Sequence, residues 1–296
     1  MQQSKIKEAV NVFKHKNATR AIFSDIDGTV YQWQLLIDLV LAIAKNYPEK
    51  RSIVKPLRAV IVGYKRRETP FRVVIDVLIS IIPHVFKGVN KKRVQKFAAA
   101  RARSVQSKVY VFPKEMLKIA KSLDGTDDPY VLIAITGAPQ EVAEPFCAQL
   151  GFDVVIGSYY QANRRGTYTG ERDIDSGINK GAYIDAIDSL YAIDFERSIA
   201  KGDSEHDHDM FDRCGYAYAI NPNTTLVHKL RESAKDESWY IVRDGQKSGV
   251  QISAVNQDGA LYEVCASCAM PPDIASVFPL LPGMLDPENC ACSSNV

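Results

Sequence analysis

Ala21-Ile22-Phe23-Ser24-Asp25-Ile26-Asp27-Gly28-Thr29 carries a short apolar run straight into an acidic turn. The run is of strand type. In α/β folds ligands bind where parallel strands end in loops, so a pair of carboxylates at that junction is a candidate site. Two residues apart on a tight loop, Asp25 and Asp27 can face one crevice. One carboxylate can attack an electrophile while the other, protonated part of the time, gives a proton to the leaving group. Gly28 lets the backbone bend away, and Thr29 can cap the turn. A bare Asp-x-Asp-Gly is also an ordinary hydrophilic turn; the apolar strand in front of it favours a site.

Outward from this stretch the pattern divides. Residues 31–46 carry apolar side chains at helical spacing and stop before Pro48. The helical rhythm continues to about residue 121, with no convincing strand. Past a turn-rich loop at 124–129, residues 130–135 read as a buried strand ending at Thr136-Gly137, with a helix after it to Leu150. A strand at 153–156 and a hairpin around Asn163-Arg164-Arg165-Gly166 follow. A helix from about Lys180, a strand leading into Gly202-Asp203, and further strands at 216–220 and 239–242 complete the series. Strands alternating with helices predict a parallel sheet covered on both faces. The expected fold is α/β: a Rossmann-like parallel sheet core, residues 1–29 and 126–244, interrupted by an all-helical cap, residues 30–125. Residues 245–296 are weakly patterned and are expected to form a poorly ordered tail.

Three further places could carry chemistry. Gly202-Asp203-Ser204-Glu205-His206-Asp207-His208-Asp209-Met210 is a second acidic loop after a second short strand. Its carboxylates suit a hard, oxygen-preferring cation such as Mg²⁺. His206 and His208 raise zinc as an alternative, but no cysteine accompanies them in the loop. It also reads as a solvated acidic helix start. At Thr136-Gly137, a hydroxyl and backbone N–H groups before a helix make a phosphate seat. Lys180 opens a helix after Asp175-Ser176-Gly177-Ile178-Asn179 and, taken alone, is an ordinary surface lysine.

Taken in order, the four motifs resemble the haloacid dehalogenase superfamily of phosphohydrolases, in its phosphoserine-phosphatase-like branch, over about residues 20–243. Asp25-Ile26-Asp27-Gly28-Thr29, Thr136, Lys180-Gly181 and Gly202-Asp203-Ser204-x-x-Asp207-x-x-Met210 match the family's successive motifs; Thr169-Gly170 and Ala219-Ile220-Asn221-Pro222 also suit the branch. The resemblance implies an aspartyl-phosphate formed on Asp25 and acid–base work by Asp27. It implies phosphoryl binding by Thr136 and the Gly137 amide, and charge compensation by Lys180. Mg²⁺ would be held by Asp25, the Asp27 carbonyl and Asp203. Asp207 would support the metal through water or fix Lys180. The branch places a glutamate nine positions after its nucleophile to bind the substrate ammonium. Here that position is Gln34, a neutral amide, which puts phosphoserine itself in question as the substrate.

Charge adds a second question. The 296 residues carry a formal net charge of +2, yet residues 45–121 hold 20 Lys/Arg and only four acids, so that stretch is +16 and the remainder −14. A solvated cap explains this, as does a cap facing an anionic partner. Lys65-Arg66-Arg67 and Lys91-Lys92-Arg93 flank the apolar run 71–86. That is the composition of an interfacial helix, although the run also reads, more simply, as the cap's own core. The expected partner is a small phosphorylated substrate, with an anionic membrane surface as the alternative and no nucleic-acid partner, since no nucleic-acid-binding signature is present. A lipid-phosphate phosphatase, or a catalytically idle binding protein on the same scaffold, are the competing functions. The polar start does not read as a secretory signal, and run 71–86 falls short of the ~18–20 residues of a membrane span. The six cysteines then read as reduced thiols in a cytoplasmic protein, with peripheral attachment to a membrane left open. Cys265-x-x-Cys268 and Cys290-x-Cys292 could form a Cys₄ zinc site. The tight second spacing and the tail's composition favour incidental thiols.

Overall fold

The computed structural model describes residues 2–232, 239–245, 248–256 and 258–290. The chain opens with helix α1 (Gln2–Lys16) and strand β1 (Arg20–Ser24). Five helices come next: α2 (Leu35–Asn46), α3 (Lys55–Lys65), α4 (Phe71–Phe86), α5 (Lys91–Ser104) and α6 (Val111–Ser122). Then β2 (Tyr130–Pro139), α7 (Gln140–Ala148), β3 (Val154–Ala162), β4 (Tyr168–Ile174), α8 (Lys180–Asp188), β5 (Ile199–Gly202), α9 (His208–Phe211), β6 (Tyr216–Ile220), α10 (Thr224–Glu232) and β7 (Trp239–Gly245) follow. The chain ends with β8 (Gly249–Val255), β9 (Leu261–Glu263), α11 (Ala266–Ala269) and α12 (Pro272–Ala275).

The nine strands among the described residues form one sheet in the order β4-β3-β2-β1-β5-β6-β7-β8-β9. From β3 to β7 the pairings are parallel; β4, β8 and β9 add antiparallel edges. Strand alternation sorts the core into two layers. Ala21 and Phe23 of β1, with Val131, Ile133 and Ile135 of β2, pack under Phe13 of α1, Ile184 of α8 and Leu226 of α10. Ile22, Leu132 and Ala134 face the other way, toward Val142 and Phe146 of α7 and the core of the helical insert. Because β1 is central and its neighbours β2 and β5 run parallel to it, the loops after all three open at the same sheet edge.

The helices of the insert pack on one another and on the Ile22 face of the sheet in one continuous core. Val74, Leu78, Ile81, Ile82, Val85 and Phe86 of α4 are buried, which is the simpler of the two readings of run 71–86. Among the described residues no helix is long and apolar enough to cross a membrane. Asp38 of α2 is buried and accepts from the Tyr31 hydroxyl and, at 2.5 Å, from Arg101 of α5. This ties the outgoing connection to the helices. On the return, the Phe112 amide of α6 donates to Asp244 of β7 at 2.7 Å. The β3–β4 hairpin grips the insert as well. Gly88 donates to the Tyr168 carbonyl, and Tyr168 to the Val89 carbonyl, each at 2.9 Å. Phe86 stacks on Tyr160 with ring centroids 4.4 Å apart.

Two segments differ from the sequence expectation. Helix α2 begins four residues late, because Tyr31 bridges to Asp27 and Val109 where the chain leaves the sheet. The segment after residue 245 was expected to be poorly ordered, yet it extends the sheet by two strands. It also buries Val264, Met270, Ile274 and Phe278. These apolar residues are spaced too irregularly to announce an element, but they cover Tyr218 and Phe112: the Phe112 and Phe278 rings lie 5.5 Å apart.

Candidate active site

The β1 turn sets the site. The Asp25 amide donates to the Lys201 carbonyl of β5 at 2.9 Å, so the strand pairing runs on by one residue and fixes the Asp25 backbone. Gly28 then takes φ +89°, a conformation that costs other L-residues energy. A Cβ on Gly28 would collide with the Asp203 carboxylate. Gly28→Ala is therefore expected to destabilise the protein by about 1–3 kcal/mol, the sum of strain and clash. Gly166→Ala is the control: Gly166 also has positive φ, but nothing surrounds its missing side chain. If thermal denaturation showed equal losses for the two, close approach at Asp203 would have no energetic weight.

Lys180 sits at the N-terminal end of α8, and its ammonium is held between Asp25 and Asp207, 2.6 Å from an oxygen of each. Both carboxylates and the lysine are buried. The second oxygen of Asp207 accepts from the Asp203 amide, the Ser204 amide and the Ser204 hydroxyl, each at 3.0 Å. Asp207 is thus fully engaged: it aims Lys180 and closes the loop after β5. The Thr29 hydroxyl lies between Asp25 and Asp203, 3.2 Å from the first and 3.3 Å from the second. Asp27 accepts from the Leu35 amide at 2.8 Å, which turns its carboxyl toward the insert. Thr136 is buried and its hydroxyl accepts from the Ala138 amide at 3.1 Å, which leaves the hydroxyl proton to donate elsewhere.

Asp25, Asp27, Thr136, Gly137, Lys180 and Asp203 all line one crevice of about 390 Å³. Asp207 lies behind Lys180, outside that lining. Oxygens of Asp25, Asp203 and Asp207 fall within 4.8 Å of one another, a spacing that could hold a cation. The family model for haloacid dehalogenase-like hydrolases matches residues 22–212. The chain belongs to the haloacid dehalogenase-like hydrolases. No curated protein matches it significantly. Among solved structures it is similar to a protein with unknown function from Bordetella pertussis Tohama I, with TM-score 0.54, 14% identity, 76% of this chain and 98% of that one covered. It is also similar to a phospho-aspartyl intermediate analogue of phosphoserine phosphatase, with TM-score 0.48, 19% identity, 72% of this chain and 91% of that one covered. A substrate-bound phosphoserine phosphatase gives TM-score 0.49 and 17% identity, covering 71% of this chain and 90% of that one. At these identities the likeness concerns the fold.

The hydrolase's acids carry more charge than one lysine offsets. Burial pushes Asp25 up to about 6 even though Lys180 pulls it down. Burial, with Leu35 opposing, holds Asp27 well above the usual carboxylate range. Asp203 is raised by burial, then by the charges of Asp25 and Asp207. Burial disfavours charge on Lys180, but Asp207 and Asp25 outweigh it and keep the ammonium above the ordinary lysine value.

Several lining residues lay outside the sequence prediction. Gly177 approaches Gly137 so closely that a Cβ on Gly177 would stand 2.9 Å from the Gly137 Cα. Two glycines far apart in sequence give no local signal of such a contact. Arg172 of β4 and Asp175 form an ion pair at 2.6 Å on the rim. Asn223 lies on the rim as well, its amide donating to the Asp203 carbonyl at 2.9 Å. The wall supplied by the insert is Leu36, Phe71, Ile75, Leu78 and Ile79, with Gln34 beside it. None of the insert's lysines or arginines lines the crevice among the described residues. The +16 charge therefore lies elsewhere on the helices, and the face turned to the site is apolar.

Proposed function

We propose that this hydrolase is a Mg²⁺-dependent phosphatase that cleaves a small phosphate monoester through an aspartyl-phosphate on Asp25. The observation that carries the reading is Lys180 held between Asp25 and Asp207, with Asp27 and Asp203 on the same crevice. Asp25, Asp203 and the Asp27 carbonyl would hold Mg²⁺. Their fit rests on buried oxygen donors whose charge exceeds that of the single ammonium; hard carboxylate ligands suit this ion. When bound, Mg²⁺ supplies neutralising charge for an anionic carboxylate meeting an anionic phosphate.

The chain's own groups do the remainder. Thr136 and the Gly137 amide hold phosphoryl oxygens. Asp25 attacks phosphorus, the bond from phosphorus to the alcohol oxygen breaks, and Asp27 delivers its proton to that oxygen. Burial raises Asp27 above the usual carboxylate range, which favours the protonated form this step uses. Water then attacks the aspartyl-phosphate as Asp27 takes back a proton, and inorganic phosphate leaves. The helical insert acts as the cap over the crevice, and its Leu36, Phe71, Ile75, Leu78 and Ile79 pack against the alcohol. An alcohol with an apolar body fits that wall better than the ammonium and carboxylate of serine.

Hydrolysis of an aryl phosphate is expected to require Mg²⁺ and to stop with chelator. Among phosphoserine, aryl and long-chain alkyl phosphates, phosphoserine is expected to be the poorest. No Mg²⁺-dependent hydrolysis across the panel would sink the reading and favour an idle scaffold. The pH dependence has a definite sign. In the metal-free protein a carboxylate raised above its ordinary value of 3.8 contributes stability that is present below that value and lost as pH rises through its folded value, about 6 for Asp25. The carboxylates would hold Mg²⁺ in their ionised forms, so protons would compete with it. The rise in thermal midpoint on adding Mg²⁺ is expected to be larger at about pH 7.5 than at about pH 5, and activity at limiting Mg²⁺ to fall as the pH is lowered. Equal Mg²⁺ shifts at both pH values would remove these carboxylates as ligands.

A further inference from the structure

Away from the crevice, the segment after β7 brings three cysteines together. Cys265 Sγ lies 3.5 Å from Cys268 Sγ, and Cys268 Sγ lies 3.8 Å from Cys290 Sγ. All three sulfurs fall within 4.8 Å of one another. Cys265 caps α11 and Cys268 lies within it, whereas Cys290 arrives 22 residues after Cys268, so chain proximity does not explain the third sulfur. We propose that Cys265, Cys268 and Cys290 are ligands of a structural zinc ion, independent of the aspartate site and of the reaction assigned to it.

The geometry suits zinc. A Zn–S bond of about 2.3 Å in a tetrahedral site sets ligand sulfurs about 3.8 Å apart. The two closest spacings here are at or just under that value. A disulfide would join two of the three sulfurs and leave the third stranded against it; a thiolate-preferring ion uses all three. Two buried thiols, Cys265 and Cys290, meet one exposed thiol, Cys268, which gives an ion a route in from solvent. The Cys265 amide also donates to Cys290 Sγ at 3.4 Å, an interaction that favours the thiolate and orients it. Cys292, the fourth member of the sequence pattern, lies outside the described residues, and the proposal rests on the other three.

The site would also do structural work. Beyond β9 the described residues hold the segment with two four-residue helices and one short 3-10 turn. Yet the Ala269 carbonyl accepts from the buried Tyr218 hydroxyl at 2.6 Å, and Asp273 pairs with Arg20 of β1 at 2.7 Å. Phe278 covers Phe112. A metal joining residues 265–268 to 290 closes the loop that carries all three contacts, and so fastens this cover to the sheet.

The test is metal content of the full chain, purified under reductant without chelator, by mass spectrometry. One zinc per chain is expected. Asp203→Asn should keep it, whereas Cys268→Ser and Cys290→Ser should weaken zinc affinity by more than about 100-fold, beyond what loss of an outer hydrogen bond costs. Since those variants could misfold, the wild-type chain is also reconstituted with Co²⁺, where thiolate-to-cobalt charge-transfer absorption and strong tetrahedral visible bands are expected. Three results would overturn the proposal: no zinc uptake and no cobalt–thiolate absorption in the reduced wild-type chain; zinc lost in Asp203→Asn and kept in the cysteine variants; or zinc bound equally by wild type and cysteine variants.

Discussion

Asp25→Asn is expected to lower phosphate-ester turnover by about 10⁴–10⁶-fold, the scale of removing a covalent nucleophile. The amide keeps the size and planarity of the carboxylate but has no anionic oxygen to attack phosphorus. It also withdraws one of the acids proposed to hold Mg²⁺. The fold should tolerate the exchange. Lys180 retains Asp207 at 2.6 Å, and Thr29 retains Asp203. Burial already opposes ionisation of Asp25, so a neutral side chain there has little to lose in the metal-free state. The thermal midpoint without Mg²⁺ should accordingly stay within a few degrees of wild type. Acid-quenched reactions with labelled substrate should trap a phosphoenzyme in the wild type and none in the variant. A folded Asp25→Asn protein with undiminished turnover would show that the nucleophile lies elsewhere.

How much of this could be read from sequence follows from how local each signal is. The junctions after β1, β2 and β5 were legible because each couples an apolar strand to a turn within a few residues. Parallel pairing then brings them to one edge, so Asp25, Thr136 and Asp203 converge without any long-range signal being needed. Lys180 was weak alone, since its partners Asp25 and Asp207 lie 155 and 27 residues away; it gained meaning only from the order of the motifs. Asp207 had two readings in sequence, and its geometry favours the one in which it fixes Lys180. What stayed hidden depended on packing. The Gly137–Gly177 approach, the Arg172–Asp175 rim and the direction in which α4 turns its side chains are properties of the assembled fold. The charge of the insert left two readings open for the same reason. Composition counts lysines and arginines but does not say which face they occupy, and the face over the crevice proved apolar. The cysteine-bearing segment was under-read because its buried residues follow neither the helical nor the strand period.

Lys180→Met tests the electrostatic centre, and both stability and rate should respond. The exchange conserves length and apolar stem but removes the only ammonium within hydrogen-bonding distance of Asp25 and Asp207 among the described residues. Breaking a buried ion pair from one side leaves charge uncompensated and costs about 3–5 kcal/mol. The loss should depend on pH with a definite sign. Without the ammonium that pulls it down, Asp25 is driven further toward its neutral form, so its folded-state value rises further above the ordinary 3.8. Stability from such groups is present at low pH and drains away as pH rises through the folded values. The deficit against wild type should therefore be small near pH 5 and large near pH 8. Turnover should fall by on the order of 10²–10³-fold, the scale of losing one preorganised charge-stabilising group. A variant matching the wild-type thermal midpoint near pH 8 would mean that the Lys180 charge does not hold the two acids in place. The proposed role of Asp207 in aiming that charge would then fail with it.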